Sequence, residues 1–144
     1  MEKSNMLEEI IQIKLKSNSN KVENAELYLY DEDLDNNDYV KLELHYRNKT
    51  IQYSEENYFD ALTNLRKKLE EDKIQILCKG ANKNVYPSAM QLNMGTGRNA
   101  YILTMHKQAK LQDVVDIFEP SNINECTTID EQKQYFDLWA ESLG

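Results

Sequence analysis

The chain has 144 residues, of which 40% are hydrophobic and 29% charged, with a formal net charge of −8. That length suits one domain, 1–144, burying roughly 68–70% of its unfolded surface, and that composition excludes a disordered chain. No apolar run reaches the roughly 18 residues a membrane-crossing helix requires, and MEKSNMLEEIIQ lacks the apolar region of a secretion signal. Two cysteines, Cys78 and Cys126, make no disulfide framework and read as free thiols in a reducing cytoplasm.

Residues 8–17 place Ile11, Ile13 and Leu15 at alternate positions, the period of a half-buried strand. After the polar turn 17–21, AELYLY (25–30) is a second strand, with Leu27 and Leu29 on one face and Tyr28 and Tyr30 on the other. DEDLDNND (31–38) is a loop, because its charges cannot be buried together. From Tyr39 to Asn48 the alternation is clean, and it resumes through Ile51 and Tyr53 after a turn at Asn48-Lys49. The first third is therefore an antiparallel meander with one wet face.

Ser54 is placed to cap a helix running to about Asp72, with Tyr58, Ala61, Leu62, Leu65 and Leu69 on one face. The stretch 73–106 follows, with three of the four glycines, Gly80, Gly95 and Gly97. It reads as strand, structured loop with a helical turn, strand, with Tyr86, Met90 and Met94 as apolar anchors. Residues 110–118 fit helical spacing through Leu111, Val114, Val115 and Phe118, although the paired valines also suit a strand; a short helix stopped by Pro120 is the expectation. Thr128-Ile129-Asp130-Glu131 opens a last helix that docks through Phe136 and Trp139. The fold class expected is α+β: an antiparallel sheet of five to six strands with two to three helices packed on one face.

The charge is unevenly placed. Between Val22 and Val40 stand seven acids, Glu23, Glu26, Asp31, Glu32, Asp33, Asp35 and Asp38, and no Lys or Arg. Outside that window 18 acids face 17 bases, so nearly all the acidic excess lies in it. Such a segment repels phosphates, which argues against nucleic acid, and attracts a basic protein. Tyrosine is in excess, nine against three Phe, and Tyr28, Tyr30, Tyr39 and Tyr53 fall in the same third. Tyrosine beside acids suits a contact surface, and equally a sheet face half covered by amphipathic rings. The partner-binding residues expected are Glu26, Tyr28, Tyr30, Asp31, Glu32, Asp33, Asp35 and Asp38.

Reactive motifs are weak. Asp31, Asp33 and Asp35 match the opening of a calcium loop, but Asn36 replaces the turn glycine and Leu42 the bidentate acid, so no metal site is expected. Gly95-Thr96-Gly97-Arg98 precedes a strand rather than a helix, which suits a turn better than a phosphate grip. Cys78 lies in the apolar run IQILC, the setting of an inert thiol, and Ser88 has no evident base and suits a cap after Pro87. No cofactor is implied, and no constellation demands catalysis. The competing reading is a small enzyme or ligand-binding domain using the Gly80–Arg98 loop, with Tyr86, Ser88 and Arg98 lining a pocket.

The run 80–101, GANKNVYPSAMQLNMGTGRNAY, and the tail segments DVVDIFE and EQKQYFDLWAESL resemble small single-domain bacterial proteins of the toxin–immunity type. The resemblance spans about residues 74–143 and carries over scaffold turns and core anchors, not functional residues. It implies a cytoplasmic bacterial immunity protein, which neutralises a cognate toxin domain by covering its working surface. The acidic window lies outside the matching part.

Overall fold

The computed structural model describes residues 7–33, 35 and 38–144; the N-terminal MEKSNM and the loop positions Leu34, Asn36 and Asn37 lie outside the described residues. Four long strands open the chain: β1 (Leu7–Lys16), β2 (Val22–Tyr30), β3 (Val40–Tyr46) and β4 (Lys49–Glu55). They form the expected antiparallel meander, and β5 (Gln75–Ile76) adds to its far side, giving the order β4-β3-β2-β1-β5. Alternation decides the faces. Ile13, Leu15, Ala25, Leu27, Leu29, Val40, Leu42 and Leu44 are buried on the inner face, while Gln12, Lys14, Glu26, Tyr28, Lys41, Glu43 and His45 lie between them on the outer face. The turn joining β3 to β4 is Arg47-Asn48, one residue earlier than expected. Both residues take left-handed backbone, φ 52° and 59°, the geometry that matches strand twist in a two-residue hairpin.

Helix α1 (Tyr58–Glu71) lays its predicted stripe on the inner face, and Tyr58, Phe59, Ala61, Leu62, Leu65 and Leu69 are all buried. Its cap is Asn57 rather than Ser54: the Asn57 carboxamide accepts from the Asp60 amide at 2.8 Å. Ser54 is still paired with Lys41, so the strand ladder outcompetes an early cap. Beyond α1 a second antiparallel sheet assembles in the order β6 (Val85–Tyr86), β7 (Asn99–Ile102), β8 (Val114–Asp116). The fold class is α+β, as expected, with the strands shared between two sheets.

Two further local expectations change. Residues 110–118 do not form a helix: Leu111–Asp113 make one 3₁₀ turn, and Val114 and Val115 then pair with Tyr101 and Ala100. Pairing to β7 decides between two periodicities that short apolar runs share. Met90 and Met94 are not anchors. They stand 68% and 81% exposed on α2 (Ala89–Met94), a helix so short that only Leu92 turns toward the core. Ser88 does cap α2, accepting from the Gln91 amide at 3.1 Å. Gly97 adopts φ +75°, and a Cβ there would lie 2.7 Å from the Asn57 Cβ, so the turn before β7 needs glycine.

Helix α3 (Ile129–Ser142) begins at Thr128 as expected, yet the only residue buried on it is Gln132. Phe136 stacks on Tyr86 at 4.3 Å, and Tyr86 meets Phe59 edge-on at 5.1 Å, which carries the aromatic contact into the core. Cys78 is completely buried, and burial pushes its thiol from 9.0 up to about 12. A thiol raised in the folded state favours the protonated form. Its contribution to stability is complete below the unfolded value near pH 9 and is lost as pH rises toward 12. Chemical unfolding followed from about pH 8 upward should show this alkaline decline, and Cys78→Ala should flatten the part that begins near pH 9. The same decline in the variant would exclude Cys78 as its source.

Candidate protein-binding face

The outer face of the five-stranded sheet carries three of the residues expected to bind a partner. On β2, Glu26, Tyr28 and Tyr30 point outward, and their cross-strand neighbours on β3 are His45, Glu43 and Lys41. Tyr28 stacks on His45 with ring centroids 4.1 Å apart, and Ile10, opposite Tyr28 on β1, stays 44% exposed. Glu43 is the centre of the polar network, 3.3 Å from the Lys41 ammonium and 3.2 Å from the His45 ring nitrogen. It also accepts from the Tyr30 hydroxyl at 3.3 Å. Glu26 accepts from the Gln12 amide at 2.9 Å.

Tyr30 departs from the expectation of an open contact residue. It is 6% exposed, its ring lies under the Lys41 ammonium at 4.6 Å, and burial first, then the Glu43 charge, raises its phenol above the ordinary value. Tyr28 and Ile10 supply exposed apolar surface beside it on this face.

The acids of the 31–38 loop divide into two kinds. Asp31 accepts from the Tyr58 hydroxyl at 2.5 Å, which fastens the loop to the first residue of α1. Burial first, then this bond, pushes the Tyr58 phenol well above its ordinary range. Asp33 accepts from the Ser54 hydroxyl at 2.5 Å and from the Asp35 amide at 3.2 Å, while its own amide donates to the Tyr39 carbonyl. The Ser54 bond is the main reason the Asp33 carboxyl lies below its ordinary value. Asp31 and Asp33 are thus struts of the loop. Glu32, Asp35 and Asp38 are exposed beside them.

Not all seven acids of the window share this end of the sheet. Glu23, at the other end of β2, holds Arg47 through both carboxylate oxygens, the shortest contact being 2.7 Å, so its charge is neutralised locally. The Arg47 bond is also the first cause of its lowered carboxyl pKa. The concentrated charge is that of the loop, with Glu26 on the adjoining face, where Glu43 is balanced by Lys41.

Tyr86, Ser88 and Arg98, expected to converge in the competing reading, are engaged in three separate places. Tyr86 is sandwiched between Phe59 and Phe136, and Ser88 is the α2 cap. Arg98 bridges Glu9 at 2.8 Å and Asp116 at 3.0 Å, with Phe118 beneath it, so it joins β1 of one sheet to β8 of the other. Both of these carboxylates belong to the fold itself. Among the described residues, no three His, Cys, Asp or Glu side chains gather as metal ligands. Nor is any helix among them long and apolar enough to cross a membrane.

No protein-family model matches the sequence, and no curated protein matches it. Sequence reasoning passed over His45, Glu43 and Ile10 as surface residues. The alternation placed them outward, but their proximity to Tyr28 depends on strand register, which one strand read alone does not contain.

Proposed function

We propose that this chain is a non-catalytic binding protein of the immunity type, which neutralises a bacterial toxin by covering a basic working surface. The observation that carries the reading is the exposed carboxylate group at the end of β2, Glu32 and Asp35, beside an outer sheet face bearing Tyr28, His45 and Ile10. Acids at the rim would steer a cationic partner, and an aromatic and aliphatic centre would supply the contact that holds it. The resemblance of residues 74–143 to immunity proteins supports the same reading, with the matching part as scaffold and the meander as the variable contact region. The engagement of Tyr86, Ser88 and Arg98 inside the fold argues against the ligand-binding alternative.

The test separates the exposed acids from the struts. With the toxin domain encoded beside this chain as partner, Glu32→Gln/Asp35→Asn should lower the association rate about tenfold at low ionic strength and flatten its salt dependence. Unfolding stability should stay within about 0.5 kcal/mol of the parent. Asp31→Asn and Asp33→Asn should instead each cost about 1–2 kcal/mol of stability, because each weakens a charge-assisted hydrogen bond. An association rate and salt slope unchanged in the double variant would refute the steering mechanism. Failure of the parent chain to bind or protect against that domain would refute the function.

A further inference from the structure

Strand β4 is a bare edge. It pairs with β3 alone, and the strands at the other sheet edges, β5, β6 and β8, are only two or three residues long. The two-residue turn Arg47-Asn48 determines which of its backbone groups are free. Tyr46 and Lys49, flanking the turn, form the first hydrogen-bonded pair, so Leu44–Ile51, Leu42–Tyr53 and Val40–Glu55 are the next ones. Thr50, Gln52 and Ser54 therefore direct their N–H and C=O groups away from the sheet. Among the described residues nothing bonds those groups. Natural edges are commonly blocked by proline or by charges in mid-strand; here TIQYS (50–54) has neither.

The edge is also complementary to itself. A two-fold axis through Gln52, with two copies antiparallel, sets Gln52 opposite Gln52 and Thr50 opposite Ser54. It sets Ile51 opposite Tyr53 and Lys49 opposite Glu55. Apolar meets apolar on the inner face, hydroxyl meets hydroxyl on the outer, and each end gains a pair of opposite charges. Three facing pairs exchange about six backbone hydrogen bonds. No other in-line register of this strand on itself matches all four kinds of pair.

We propose that β4 is a self-association edge, and that two copies of this chain join their five-stranded sheets into one continuous sheet through it. The occupant is a second copy, because the free backbone groups call for an extended strand and the side-chain series supplies the matching one. This does not rest on the immunity reading. The joined sheet leaves Ile10 and Tyr28, on the neighbouring strands β1 and β2, outside the junction.

Sedimentation of the full chain over a concentration series tests it. The mass should rise from 16.9 kDa toward twice that value. Gln52→Pro deletes an outward N–H and leaves the bonds to β3 intact, so it should abolish the rise while preserving the far-ultraviolet dichroism. Lys49→Glu places like charges across both ends and should weaken association about tenfold or more. Gln52→Cys should form a disulfide-linked dimer on mild oxidation, since facing Cα atoms of a hydrogen-bonded pair lie about 5.5 Å apart. Thr50→Cys, several residues from its symmetry mate, should not. A single-chain mass at every concentration overturns the proposal, as does a dimer that survives Gln52→Pro or cross-links equally through both cysteines.

Discussion

Replacing Gln132 with alanine is expected to cost the fold about 3–5 kcal/mol, more than loss of any one aliphatic contact on α3. Gln132 is 2% exposed, and its amide nitrogen donates to the carbonyls of Gly80 (2.8 Å), Asn82 (3.0 Å) and Val85 (2.9 Å). Its carbonyl oxygen accepts from Arg66 at 2.6 Å. Arg66 is 3% exposed on α1, where burial holds its guanidinium below the ordinary value, and it also donates to the Thr127 carbonyl at 2.8 Å. No carboxylate is within its ion-pair reach among the described residues; its hydrogen bonds go to the carbonyl oxygens of Gly80, Gln132 and Thr127, with Glu70 the nearby acid that acts on its charge. Truncating Gln132 strands main-chain acceptors and leaves that buried cation one partner short.

Arg66→Ala should cost less, about 2–4 kcal/mol, because removing the cation also removes the expense of burying it. The double variant should cost about 1–3 kcal/mol less than the two single losses added, since both delete one shared bond. Denaturant unfolding of the three variants checks this. Single losses below about 1 kcal/mol would mean that the hub does not hold α1, α3 and the 79–85 loop together.

Gly80→Ala should cost about 2–3 kcal/mol in the same measurement. Gly80 is buried in the 3₁₀ turn Lys79–Ala81. An added Cβ would lie 2.6 Å from Leu62 Cδ2, 2.9 Å from Ile117 Cβ and 3.2 Å from the Ile117 carbonyl oxygen. The Leu62 terminus can rotate away, but the Ile117 contacts cannot, because the Gly80 amide donates to that same carbonyl at 2.8 Å. Relief requires moving the turn, and the turn carries the carbonyl that both Arg66 and Gln132 use. A loss under about 0.5 kcal/mol would show that the turn yields freely and is not rigid.

Local patterning along the chain suffices for the meander, the buried stripe of α1, the caps at Ser88 and Thr128 and the concentration of acid between β2 and β3. Each is local: period two selects a strand face, period near 3.6 a helix face, and capping depends on neighbours three residues apart. The acids read correctly as a charge excess and wrongly as one uniform group. Whether Asp31 is a free charge or a strut depends on Tyr58, 27 positions away, and Asp33 depends on Ser54 at 21.

The remaining features depend on contacts between segments far apart in the chain. Arg66 and Gln132 look like surface residues in a local window, and only the meeting of α1 with α3 across 66 positions turns them inward. Val114–Asp116 became a strand because β7 offered a ladder, and Arg98 was occupied by Glu9 and Asp116 from two different sheets. Periodicity specifies which way a side chain points, whereas a polar group's partner is set by which elements meet, and that information is spread along the whole chain.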